Sequence, residues 1–90
     1  MKKKILAIQG SSLRNINVKT DTTLFLALEA QQRGFEVYYF EPKNLSFIDG
    51  KVVAKCLQII FFKDKKKFYK IKKEINLNLF KAKILMIRND

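Results

Sequence analysis

Ile5-Leu6-Ala7-Ile8 is a continuous apolar run, bracketed by Lys4 and Gln9 and ended by Gly10-Ser11-Ser12. A strand with one wet face alternates apolar and polar residues. A short run without alternation must be covered on both faces, as strands of a parallel sheet are. A parallel neighbour in turn requires a crossover connection, and the following segment can supply one. After a polar stretch from Gly10 to Thr20, Leu24, Ala27, Leu28 and Gln31 fall at helical spacing, with Phe25 widening the apolar stripe. Thr20 or Asp21 can cap the first turn by accepting from its unpaired amides. Gly34 stands where the helix must end in a left-handed residue, and Phe35 can fold back toward Ala30. Glu36-Val37-Tyr38-Tyr39-Phe40 then reads as a second strand closed by Pro42. Strand, helix and strand together make a βαβ unit.

The rest of the chain reads as β-structure. Leu45-Ser46-Phe47-Ile48 and Lys51-Val52-Val53-Ala54 flank Asp49-Gly50, a hairpin signal because a type I′ turn needs positive φ at both central residues. Leu57 to Phe62 and Phe68 to Ile71 suggest a second strand pair around a lysine-rich tip, and Ile84-Leu85-Met86-Ile87 a last buried strand. No internal repeat and no linker-like composition divides the chain, so residues 1–90 are expected to be one domain.

Composition narrows the function. Hydrophobic residues make up 48% of the chain, enough for one core, and no apolar run approaches the ~20 residues of a membrane helix. Met1-Lys2-Lys3-Lys4 ahead of an apolar run resembles a signal peptide, but the run stops at Gln9-Gly10 and no small-residue cleavage site follows. The lone Cys56 cannot form an internal disulfide and fits a reducing, cytoplasmic setting. Its neighbours Leu57, Ile59 and Ile60 favour an inert packed thiol over a nucleophile, and no histidine exists to activate it. The same absence removes histidine-based acid–base chemistry and most zinc sites. No catalytic or metal-binding residue is therefore assigned.

The net charge of +11 invites a nucleic-acid reading. Yet only Arg14, Arg33 and Arg88 are arginines, the residue favoured for bidentate phosphate contacts, and the remaining charge is lysine amid abundant Ile, Asn and Phe. Lys63 to Lys73 interleaves lysines with Phe68, Tyr69 and Ile71. That pattern fits a single-strand binding platform. It fits better a solvated hairpin whose apolar residues face inward and whose lysines protect an edge. Gly10-Ser11-Ser12 can cradle a phosphate or be a plain turn; neither dinucleotide nor P-loop spacing is present. Asn17, Lys19 and Asp21 can orient a polar ligand, or serve only as turn and cap residues.

Asn15-Ile16-Asn17-Val18-Lys19-Thr20-Asp21-Thr22-Thr23, followed by Glu29-Ala30-Gln31-Gln32-Arg33-Gly34, resembles the N-terminal domain of prokaryotic glutathione synthetases. That family carries N-I-N-x-x-x-D-[ST]-[ST] before a helix ending E-A-Q-x-R-G. The likeness continues through Tyr38-Tyr39, Asn44-Leu45 and Ile48-Asp49-Gly50, and returns at Ile84 to Asp90, which is similar to the family's strand leading into M-x-R-x-D-P-P. Between residues 56 and 80 only strand-like patterning persists. Two departures stand out. The family's Met-Asp-Pro-like turn is here Gln9-Gly10-Ser11-Ser12, one residue longer, and the chain stops at Asp90, ahead of the Pro-Pro and of the ATP-grasp region.

The resemblance implies a small Rossmann-like, pre-ATP-grasp α/β domain: a βαβ unit, then β-hairpins and a last buried strand. It implies ATP-dependent ligation of glycine to γ-glutamylcysteine, with ATP and Mg²⁺ held in the ATP-grasp part, supplied in cis or in trans. By position it carries over Asn15, Asn17, Asp21, Arg88 and Asp90 as substrate-binding residues, with Arg88 meeting a carboxylate. A domain ending here is expected to be inactive alone, and either marginally stable or self-associating, since it exposes the apolar face its neighbour would cover. The alternative is a stand-alone basic module that binds nucleic acid or a protein partner.

Overall fold

A computed structural model describes residues 4–11, 22–63 and 66–88. The first strand, β1 (Lys4–Gln9), pairs in parallel with β2 (Phe35–Phe40), from Lys4 opposite Phe35 to Gln9 opposite Phe40. Between them runs α1 (Thr22–Gln32), so the βαβ unit forms as its residues dictate. Leu24 and Ala27 of α1 are buried, and Leu28 and Ala30 pack beside them. Phe25 does not widen this stripe: it is 58% exposed, since one residue turns a helix by about 100° and carries it off the sheet-facing side. Gly34 has φ +88°, as the end of the helix requires. Gln31 docks the helix by acting as a surrogate peptide: its side-chain amide donates to Phe61 O at 3.0 Å and accepts from Phe61 N at 2.6 Å. The capping residues Thr20 and Asp21 lie outside the described residues.

A short 3-10 turn (Pro42–Asn44) leads into β3 (Leu45–Ile48), which pairs antiparallel with β4 (Lys51–Phe61). Asp49 (φ 51°) and Gly50 (φ 74°) provide the two left-handed residues of the turn. The segments read as separate strands at 51–54 and 57–62 are one strand. Along one edge β4 binds β3 and then β2; along the other it binds β5 (Tyr69–Asn78). The strand β5 also runs further than residues 68–71 suggested. A bulge at Lys72 shifts its register, Lys73 facing Gln58 and Ile71 facing Ile59. Phe68 and Tyr69 pack inward, edge to face at 4.9 Å. Ile71 does not, being 48% exposed, because α1 lies chiefly over β2 and β4 rather than over this outer strand.

The sheet has two covered faces, which accounts for the unbroken apolarity of β1. Leu6 and Ile8 point toward α1, with Val37, Tyr39, Ile59 and Phe61. Ala7 points the other way, with Tyr38, Phe40, Ala54, Cys56 and Leu77. That second face is closed by Leu79 and Ala82 as the chain passes through a second 3-10 turn (Leu79–Lys81) toward β6. The last strand, β6 (Ile84–Ile87), pairs in parallel with β1, Leu6 opposite Ile84. It is present where expected but is not buried: Ile84, Leu85 and Ile87 are 45, 47 and 57% exposed. It is the outermost strand in the order β3-β4-β2-β1-β6, and no described element covers it.

Cys56 is fully buried, as an inert packed thiol should be, and burial pushes its pKa up from 9.0 to about 12. On the same face Tyr38 is pushed up from 10.0 to about 12, first by burial and then by the Glu36 carboxylate, to which its hydroxyl donates at 3.2 Å. Both groups hold their protons longer folded than unfolded. Their contribution is intact below pH ~9 and is lost as pH climbs toward ~12. Thermal melts are expected to weaken across that window, and Cys56→Ala should flatten the portion that begins near pH 9, where the free thiol would ionise. An unchanged slope in the variant would contradict this.

Candidate functional site

The parallel strands β2, β1 and β6 end side by side, and their ladders continue one step past the strands. Gly10 N donates to Phe40 O at 3.1 Å, and Arg88 N donates to Gln9 O at 2.8 Å. The strand order reverses at β1, with β2 on one side and β6 on the other. Ligands of open α/β sheets bind beyond the carboxyl ends of the strands at such a reversal.

Side chains tie these ends together. The Tyr39 ring sits in the core beneath α1, 3% exposed. Its hydroxyl reaches past the end of β1, donates to Ser11 O at 2.7 Å and accepts from Arg88 Nη1 at 3.3 Å. Gly10 is buried beside this pair. A Cβ at that position would lie within contact distance of the Tyr39 oxygen and 3.1 Å from Arg88 Cδ. The result is a half-buried guanidinium fixed at the carboxyl end of a parallel sheet. Guanidinium is always charged, and its planar fork matches a carboxylate. Gly10 N is already committed to Phe40, so the turn after β1 cannot offer that amide to a phosphate.

Of the residues expected at a substrate site, Arg88 is placed here; Asn15, Asn17, Asp21 and Asp90 lie outside the described residues. From the sequence Tyr39 reads as a strand residue, and Gly10-Ser11 as a phosphate cradle or a plain turn. The available signal was position: Tyr39 is one residue from the carboxyl end of a strand parallel to β1, where a long polar-tipped side chain can overhang the sheet. Lys63, Lys67, Lys70, Lys72 and Lys73 are exposed. Because β4 runs antiparallel to β2, this lysine-rich turn lies at the opposite end of the sheet from Arg88. Among the described residues no three His, Cys, Asp or Glu come together to hold a metal. No described helix is long and apolar enough to cross a membrane.

A βαβ-based domain with its polar cluster beyond β1 is the class these features define. The profile of the prokaryotic glutathione synthetase N-terminal domain matches residues 5–90. Glutathione synthetase of Wigglesworthia glossinidia brevipalpis is 34% identical over 85 residues, covering 94% of this chain and 27% of the relative. The Mesorhizobium japonicum enzyme is 31% identical over 90 residues, covering 100% and 28%. That of Escherichia coli O127:H6 is 32% identical over 85 residues, covering 94% and 27%. The chain belongs to the prokaryotic glutathione synthetase N-terminal domain family. It spans little more than a quarter of the length of these relatives.

Proposed function

We propose that residues 1–90, as one domain, form the substrate-side wall of a glutathione synthetase that joins glycine to γ-glutamylcysteine at the expense of ATP. The observation that carries this reading is the anchored Arg88 guanidinium at the carboxyl ends of β1, β2 and β6, in a chain that matches the family from residue 5 to 90. In this reading Arg88 takes a carboxylate of the γ-glutamylcysteine-side substrate. Asn15, Asn17, Asp21 and Asp90, carried over from the family motif, bind the same dipeptide. The chain's task is to hold and aim, since a substrate fixed in reactive geometry needs less of its barrier met by chemistry. ATP and Mg²⁺, which would activate the carboxylate to be joined, belong to the ATP-grasp portion, in cis or in trans, and the domain by itself is inactive. The setting is the cytoplasm.

Calorimetric titration with γ-glutamylcysteine tests this. The chain is expected to bind the dipeptide, and Arg88→Ala to weaken binding by tenfold or more, the worth of one charged hydrogen-bonded pair of about 1.5–3 kcal/mol. Affinity untouched by Arg88→Ala, or no binding at all, overturns the reading. The exposed lysines of β5 favour a second reading, a polyanion-binding module, which requires salt-sensitive nucleic-acid binding instead.

A further inference from the structure

We propose that the Tyr39 hydroxyl is the positioning group of this site, holding Arg88 and the Gly10-Ser11 turn as one preformed unit, with the missing side chain of Gly10 making room for it. The proposal rests on the reading of Arg88 as the carboxylate-binding residue and adds what sets that residue's geometry.

Three observations converge. First, the phenol is fixed by the core rather than by a loop. Tyr39 is 3% exposed, its ring packs with Leu6, Ile8, Leu24 and Val37, and its backbone lies in β2 with neighbours on both sides. Second, the hydroxyl's two described partners have fixed hydrogen-bond roles. Guanidinium only donates and a peptide carbonyl only accepts. Between these two, the hydroxyl donates to Ser11 O (2.7 Å) and accepts from Arg88 Nη1 (3.3 Å). Each bond orients the other. Third, the oxygen occupies space that any other residue at position 10 would fill, because a Cβ there would collide with it. Glycine at this position is a matter of volume: its amide is an ordinary ladder donor to Phe40 O.

The bond to Tyr39 removes rotamers that an arginine just past the end of an edge strand would otherwise sample. With the tyrosine in place, that ordering precedes binding. Bonding both also couples them: the Gly10-Ser11 turn and the arginine at the neighbouring strand end move together.

The test is Tyr39→Phe in the full chain, read three ways. The melting temperature should change by only a few degrees, since the ring stays packed. The Arg88 guanidinium NMR signals should shift and exchange faster with water than in the wild type once the bond to Tyr39 is gone. Dipeptide affinity should fall about three- to tenfold, the loss of one hydrogen bond's worth of ordering. Guanidinium signals identical in wild type and variant overturn the proposal whatever the affinity does. A wild type that binds no dipeptide removes the proposed function, while the guanidinium signals still decide the positioning role. If Tyr39→Phe does not fold, the Tyr39 hydroxyl proton in Arg88→Ala decides: a shifted, faster-exchanging signal supports the coupling, and an unchanged one overturns it.

Discussion

Gly10→Ala is expected to destabilise the chain by about 2–4 kcal/mol, combining the cost of overpacking with loss of the hydroxyl's hydrogen bonds. The new methyl group would collide with the Tyr39 oxygen and stand 3.1 Å from both Tyr39 Cζ and Arg88 Cδ. Arg88 is a flexible side chain and can retreat. The tyrosine cannot, because its ring is buried under α1 and its backbone is held in β2 between β1 and β4. Relief must come from expelling the phenol or bending the ladder between Gly10 N and Phe40 O. The sign of the coupling is what makes this informative. In a Tyr39→Phe background the worst collision is gone, and the same Gly10→Ala change should cost about 1–2 kcal/mol less, in the range seen for residues in contact. Urea unfolding of the wild type, both single variants and the double variant measures it. Strictly additive costs would mean the two residues do not share the space described.

The second large effect is in the core. Ile59→Ala should cost about 2–5 kcal/mol, the range for emptying a buried branched aliphatic site. Ile59 is 1% exposed and sits at the middle of the sheet, opposite Val37 on one side and Ile71 on the other, in the cluster beneath α1. Small domains have about 5–15 kcal/mol in total, so melting should fall by roughly 10–30 °C. Ile59→Val, which keeps most of the volume, should cost only about 0.5–1.5 kcal/mol. Ile84→Ala is the control. Ile84 is 45% exposed on β6, and its truncation should cost well under half as much. Equal losses at the two isoleucines would mean that β6 is covered in solution, by a second copy of the chain for example.

Why some features could be read from the residues and others could not follows from where the information lies. The unit β1-α1-β2 and the Asp49-Gly50 turn rest on local signals: an unbroken apolar run, helical spacing ended by Gly34, two adjacent residues tolerant of positive φ. Nothing distant can change those. The length of β4 was hidden because Lys55 interrupts it. That lysine faces outward to Glu74 at 3.2 Å while Ala54 and Cys56 on either side are buried, an alternation obscured by apolar residues on the opposite face. The state of β6 was hidden for a different reason. Ile84-Leu85-Met86-Ile87 has the same apolar character as β1, but apolarity records that a strand is suited to burial, not that a described neighbour buries it. At the candidate site, Arg88 was singled out through its motif. Tyr39 was not, since its role depends on meeting Ser11 and Arg88, 28 and 49 residues away in sequence.

The most direct test of the central claim, that the carboxyl ends of β1, β2 and β6 form the ligand-binding wall, is a residue-by-residue NMR map of the γ-glutamylcysteine titration. The expected result is that amide signals of Gly10, Ser11, Phe40 and Arg88 move together with one saturation curve, while those of Lys70, Lys72 and Lys73 on the outer strand β5 stay in place. Shifts confined to the lysine-bearing strand β5, or a titration that moves nothing near Arg88, would contradict it.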